Sequence, residues 1–251
     1  MSTDFEYNFT SATGKKSIFV ESIGMFGNFS GSDKEIIILP DGRIDLFFVQ
    51  AEQGSFEVIL MGLESGPKQR VITAGMYAYA VSFTPLGLEY ILQLSIADML
   101  NSARNLPHNF WDMETENFLN IETFQGYVNQ KLNELMPEKI DQRKQKLFEL
   151  IYESKGEMGV AELSNKVGWS SRQINRYFNA LLGVPLKTYC EILRFRSSLE
   201  HVALGKLFPE LDFTDQSHFI KKIKKYAGAL PKELSRNQND RFVLLSVLKG
   251  G

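Results

Sequence analysis

Arg172, Asn175 and Arg176 lie three and four residues apart, interleaved with the apolar Ile174 and Phe178. A helical period places Ile174 and Phe178 on one face and the three polar residues on another. Arginine offers a planar fork of donors that fits guanine O6 and N7, and an asparagine amide matches adenine N6 and N7. The spacing therefore suits a helix that reads base edges in a major groove, with Ser171 at its start completing the set. A second group follows at Gln216, Ser217, Lys221 and Lys222, inside a run with four lysines in five residues from Lys221 to Lys225. Such a run can neutralise several phosphates, an interaction that weakens steeply with salt. The plain alternative for both groups is a solvated polar face on an amphipathic helix.

Other chemistries lack their residues. Cys190 is the only cysteine, and His108, His201 and His218 are scattered, so no zinc-type spacing exists. The first half contains no Ser-His-Asp arrangement and no phosphate-cradling glycine loop. Asp41 and Asp45 read as solvated residues beside a turn, and Arg43 with Asp45 is a candidate lining for a small pocket. The chain is accordingly expected not to be an enzyme and to need no cofactor or metal. No apolar run reaches the roughly 18 residues of a membrane span. With one cysteine and no signal-like start, a soluble cytoplasmic protein is expected.

Helices are needed to hold the two polar groups, and the second half supplies them. Residues 138–154 are amphipathic through Ile140, Leu147, Leu150 and Ile151, and Val160–Val167 forms a short helix. Gly168-Trp169 makes a tight turn, and Ser170 is placed to cap the next helix, Ser171–Leu182. Gly183 stops that helix and Pro185 starts a longer one, to about Val202. Asp215 is a second candidate cap, ahead of a helix with Phe219, Ile223 and Tyr226 buried. A short helix, a glycine turn, a capping serine and a basic second helix make a helix-turn-helix signature. The tail at Phe242–Leu248 is expected to fold back on the core or to support an interface.

The first half reads as β-rich. Apolar runs at 35–39 and 44–49 flank Pro40-Asp41-Gly42-Arg43, a sequence expected to close a hairpin. Further strand-like runs are 56–60, 70–73 and 77–83, broken by Gly62, Gly66-Pro67, Gly75 and Pro85. Leu88, Ile91, Leu92 and Ile96 then recur at helical spacing, as do Ile121, Phe124, Val128 and Leu132. A small barrel or sandwich with accessory helices is expected. Charge divides the chain in the same place. Residues 1–137 hold 8 Lys and Arg against 17 Asp and Glu, and residues 138–251 hold 20 against 13. A basic half joined to an acidic one suggests a nucleic-acid module attached to something else.

The second half resembles the AraC/XylS regulators. The resemblance lies in Glu162-Leu163, Gly168 to Phe178, Gly183-Val184-Pro185, Tyr189, Arg194, Phe213 to Phe219, Lys224, Gly228 and Pro231, in the family's order over about a hundred residues. It implies two helix-turn-helix units joined by a long helix. Arg172, Asn175 and Arg176 fall on the first recognition helix, and Gln216, Ser217 and Lys221 on the second. The chain departs from the family pattern at Gly205 to Asp212, where Pro209 leaves room for a single-turn scaffold helix. The second unit is thereby expected to hold mostly phosphates. The motifs Ile38 to Leu46 and Phe83 to Leu88 resemble the cupin-like sensor domains found ahead of such modules.

The expected fold is thus α+β: a β-rich cupin-like domain at 1–137 and an all-α double helix-turn-helix domain at 138–251. The expected function is sequence-specific regulation of transcription on double-stranded DNA, governed by a small-molecule effector or by self-association. The resemblance further implies a homodimer and RNA polymerase as partners, and no membrane. The alternative is a protein-interaction module that has lost specific DNA binding.

Overall fold

The structure is a computed structural model that describes residues 5–50, 56–206 and 216–250. The expectations for Pro209, Asp212 and the Asp215 cap fall outside the described residues. Two compact units interleave along the chain. The first comprises residues 1–34, 43–62 and 72–141, and the second 35–42, 63–71 and 142–251.

The first unit is built on a six-stranded sheet. Its strands are β1 (Phe5–Ser11), β2 (Val20–Asn28), β4 (Ile44–Gln50), β5 (Phe56–Met61), β7 (Tyr77–Phe83) and β8 (Ala103–Leu106). They lie in the order β1-β2-β7-β4-β5-β8, and every neighbouring pair is antiparallel. β4 shows why: Ile44, Leu46 and Phe48 are fully buried while the residues between them are not, the period-two pattern of a half-covered strand. Helix α2 (Ile121–Leu135) supplies part of the cover through Phe124, Val128 and Leu132. The Phe124 ring lies 5.5 Å from Phe48 and 4.7 Å from Tyr79. Asn120 caps α2 by accepting from the Thr123 N–H at 2.8 Å.

Two expectations are corrected here. The helix expected across Leu88–Ile96 is only α1 (Pro85–Tyr90), and the chain reverses at Gln93, which has φ +54. The buried side chains of Ile91, Leu92 and Ile96 come from a compact turn whose apolar spacing imitates a helix. The turn at Pro40 to Arg43 also closes no hairpin. β4 pairs with β5 and β7, whereas β3 (Lys34–Ile38) pairs with β6 (Lys68–Ile72) in a separate two-stranded sheet. Gly42 does take the expected positive φ, +80, but to carry the chain from one sheet to another.

The second unit is helical: α3 (Gln142–Glu153), α4 (Val160–Val167), α5 (Ser171–Leu182), α6 (Leu186–Ala203), α7 (Gln216–Ala227), α8 (Pro231–Arg236) and α9 (Val243–Gly250). The long α6 packs against α5, α7, α8 and α9. Its buried residues include Tyr189, Leu193, Phe195 and Leu199. The tail folds back as expected, with Phe242 and Leu245 fully buried. A β-rich first part and a helical second part make the α+β class that the sequence leads one to expect.

Candidate nucleic-acid interface

Helix α4 ends because Gly168 adopts φ +70, a conformation that costs a side-chain-bearing residue but not glycine. The Gly168 N–H donates back to the Ser164 carbonyl at 3.1 Å. The Ser164 hydroxyl donates to the Trp169 carbonyl at 2.6 Å, which fixes the turn. Ser170 then opens α5 with a reciprocal cap. The Gln173 N–H donates to the Ser170 Oγ at 3.2 Å, and the Ser170 N–H donates to the Gln173 Oε1 at 2.9 Å. Ile174, Phe178, Leu181 and Leu182 form the buried face of α5. They meet Leu163 and Val167 of α4 and Leu147, Phe148 and Ile151 of α3 in one small core.

The opposite face of α5 carries the expected residues, in two different conditions. Arg172 and Arg176 are exposed and have no hydrogen-bond or ion-pair partner among the described residues. They stand one helical turn apart, two permanent cations facing water. Asn175 is half-buried, and both ends of its amide are engaged. Its Nδ2 donates to the Ser171 carbonyl at 2.9 Å, and its Oδ1 accepts from the Leu186 N–H at 3.2 Å, the first residue of α6. It satisfies an N–H that α6 leaves without an intrahelical partner. Ser171 is half-buried. The sequence reading did not find two cations on α3. The Arg143 guanidinium lies 5.1 Å from the Trp169 ring, and the Lys144 ammonium 4.9 Å from the Tyr177 ring. No local pattern announces them, because the rings they cover lie 26 and 33 residues away.

Helix α7 divides its lysines in the same way. Gln216, Ser217, Lys221 and Lys224 are exposed. Lys221 and Lys224 have no partner among the described residues. Lys222 and Lys225 instead converge on Glu191 of α6, at 2.9 Å and 3.2 Å, and the Tyr226 hydroxyl donates to the same carboxylate at 2.9 Å. The cationic run is therefore half phosphate-ready surface and half clamp. Phe219, Ile223 and Tyr226 are buried as the helical spacing requires.

The family model described as the M protein trans-acting positive regulator (MGA) HTH domain matches residues 138–182. Residues 138–182 form a helix-turn-helix domain. None of the curated proteins matches the chain. Among solved structures, the chain is similar to ToxT from Vibrio cholerae O395 bound to (E)-4-(8-methylnaphthalen-1-yl)but-3-enoic acid. The identity is 14%, 97% of this chain and 100% of that one are covered, and the TM-score is 0.44. It is also similar to ToxT from Vibrio cholerae in its P21 form, at 12% identity over 92% of this chain and 97% of that one, with a TM-score of 0.42. Overlaps this loose transfer neither ligand nor mechanism. What the helix-turn-helix domain presents to solvent is set by its own geometry.

Glu191 makes that geometry dependent on pH. Burial alone raises its carboxyl, but hydrogen bonds from Lys222, Tyr226 and Lys225 outweigh burial and hold it at about 2, against an ordinary 4.5. A depressed carboxylate contributes stability that is fully present above about pH 4.5 and is lost as pH falls towards 2. At roughly 1.4 kcal/mol per pKa unit, the contribution is bounded at about 3.5 kcal/mol, and exposure of Lys225 lowers it. Glu191→Gln is expected to lower the urea midpoint at pH 6, with the gap to the unmodified protein closing as pH drops below 4. A gap that stays constant from pH 6 to 3 would show that the clamp is not electrostatic. Beside it, burial pushes the Cys190 thiol up to about 11, which keeps it protonated and unreactive.

The first unit holds a separate concave feature. A cleft of about 650 Å³ lies between α2 and the segment that joins β1 to β2. Lys15 and Lys16 line it beside Gln125, Asn129, Leu132 and Met136. The Lys16 ammonium donates to the Asn129 Oδ1 at 2.9 Å, and no carboxylate pairs with either lysine among the described residues. Arg43 and Asp45 do not line this cleft; Asp45 accepts from the Ser82 hydroxyl. Among the described residues no group of His, Cys, Asp and Glu is arranged to hold a metal, and no helix is long and apolar enough to cross a membrane.

Proposed function

We propose that this chain is a sequence-specific, DNA-binding regulator of transcription of the AraC/XylS type. The observation that carries the reading is the pair Arg172 and Arg176, exposed and without a partner among the described residues, one turn apart on a recognition helix with a reciprocal cap. On this reading they hydrogen-bond base edges in one major groove. Asn175 acts beneath them by tying α5 to α6. Lys221 and Lys224, with Gln216 and Ser217, face an adjacent stretch of backbone, and Arg143 and Lys144 flank the first turn. The helical unit works in the cytoplasm, as a homodimer beside RNA polymerase, in keeping with the family resemblance.

The effector belongs to the cleft of the first unit. Two ammonium groups, three side-chain amides and an apolar floor suit a small anion with an apolar body. Nothing in the arrangement points to bond-making chemistry, so binding rather than turnover is the function assigned to it.

Selection from a pool of random duplexes with the purified full-length protein, followed by a salt titration on the winner, tests the central reading. A common motif should emerge, with affinity falling steeply as salt rises. Weak, salt-sensitive binding to every duplex alike would defeat base reading. No binding at all would turn the helical unit into a protein-interaction module.

A further inference from the structure

The second unit is not made of the second half of the chain alone. Residues 35–42 and 63–71 group with it, although more than seventy residues separate them from α3. Strands β3 and β6 pair with each other as a ribbon, apart from the six-stranded sheet. The ribbon is bonded into the helical unit. The Ile37 N–H donates to the Arg241 carbonyl at 2.6 Å, and Ile37 forms a parallel bridge with Phe242, the fully buried residue just ahead of α9. Pro67 packs against the α7–α8 corner, where a side chain added at Gly228 would lie 3.2 Å from it.

The closest engagement is at the Asp41-Gly42 turn. The buried Tyr189 hydroxyl donates to the Gly42 carbonyl at 3.2 Å. Tyr152 of α3 lies 3.0 Å from the same hydroxyl, and since Tyr189 spends its proton on Gly42, Tyr152 is the donor there. The Arg196 guanidinium reaches the Asp41 carbonyl at 3.4 Å. A Cβ on Gly42 would come within 2.9 Å of Leu193 Cδ2. Tyr189, Leu193 and Arg196 are spaced four and three residues apart, so the turn seats on one stripe of α6.

α6 is also the strut shared by both recognition helices. Asn175 joins α5 to its first turn, and Glu191 joins α7 to its middle. We infer that the Asp41-Gly42 turn and the β3–β6 ribbon are a positioning element of the DNA-binding unit, setting α6 and through it the spacing of α5 and α7. This inference rests on the DNA-binding reading above for its consequence, but not for its structural half. Gly42 also lies two residues ahead of β4, so the sheet of the first unit runs by covalent chain into this brace.

Gly42→Ala in the full-length protein tests the inference. Alanine at φ +80 is strained, and its Cβ collides with Leu193. Tyr189→Phe, which deletes one hydroxyl, serves as the milder variant should Gly42→Ala fold poorly. Amide hydrogen exchange across residues 186–203 is measured first, then affinity for the selected duplex and for a scrambled one. Both variants should accelerate exchange in α6, by about tenfold or more for Gly42→Ala. Affinity for the selected duplex should fall while affinity for the scrambled duplex holds. Unchanged exchange in α6 in both variants would overturn the brace. An equal loss on both duplexes would overturn the positioning role, since it would mean simple loss of folded protein. If the unmodified protein selects no duplex, the DNA reading fails while the exchange result still decides the brace.

Discussion

Replacing Arg172 and Arg176 together with alanine is expected to remove most discrimination between the selected and a scrambled duplex. Each bidentate arginine contributes about 1–3 kcal/mol on its proper base. Losing both weakens the selected duplex by about 30-fold or more, at 1.4 kcal/mol per tenfold. The two side chains stand exposed and have no partner among the described residues, so their removal opens no cavity and strands no described buried group. The melting midpoint should therefore hold within a degree or two while discrimination collapses. The control is Asn175→Ala, whose amide is committed to the Ser171 carbonyl and the Leu186 N–H. Its first effect should be on stability, because two hydrogen bonds within the fold disappear. Binding curves on both duplexes at two salt concentrations provide the measurement. Parallel losses on the two duplexes for the double arginine variant would mean that these cations hold phosphates and read nothing.

The first helix-turn-helix unit was legible in the sequence because its determinants are local. Gly168, Ser170, Gln173 and Gly183 each act within four residues of where they stand, and the apolar period of α5 runs unbroken between the stops. What escaped depends on distance. Nothing within the lysine run distinguishes Lys222 from Lys221; the difference is Glu191, 31 residues earlier on another helix. The sequence puts Lys221 and Lys222 in one set, and the fold turns Lys222 onto Glu191 while leaving Lys221 exposed. Asn175 was read by its residue type, whereas its role is set by the N–H of Leu186 across the Gly183 turn.

The first unit was legible as β-rich but not in its pairing. The Pro40 to Arg43 turn has the composition of a hairpin, and turn chemistry fixes the local dihedrals without fixing which strands meet. Pairing was decided by burial instead. Ile44, Leu46 and Phe48 alternate and belong at the centre of a sheet, while β6 exposes Gln69, Arg70 and Val71 and belongs on a short ribbon. Strands β1 and β2 escaped because β1 is half-exposed and polar, and the two glycines of β2 dilute its apolar pattern.

Phe178→Ala should have the largest effect on stability of any single change in the helical unit. The ring is fully buried, with the rings of Phe148 and Tyr189 each 5.5 Å away and Tyr177 at 5.8 Å. Truncating a phenylalanine in such a setting costs about 3–5 kcal/mol, from lost transfer energy and the cavity left behind. Whole domains are stable by only about 5–15 kcal/mol, so this one ring accounts for much of the margin. Urea unfolding followed by helix signal should show the drop, and a loss below about 1 kcal/mol would mean that the cluster collapses around the gap. The contrast with the arginine pair makes the experiment informative about function. Phe178→Ala should lower the amount of binding-competent protein yet leave the ratio of affinities for selected and scrambled duplexes unchanged in the fraction that stays folded. The arginine variant should do the reverse. A chain that behaved alike in both tests would carry its specificity in packing rather than in the two guanidinium groups.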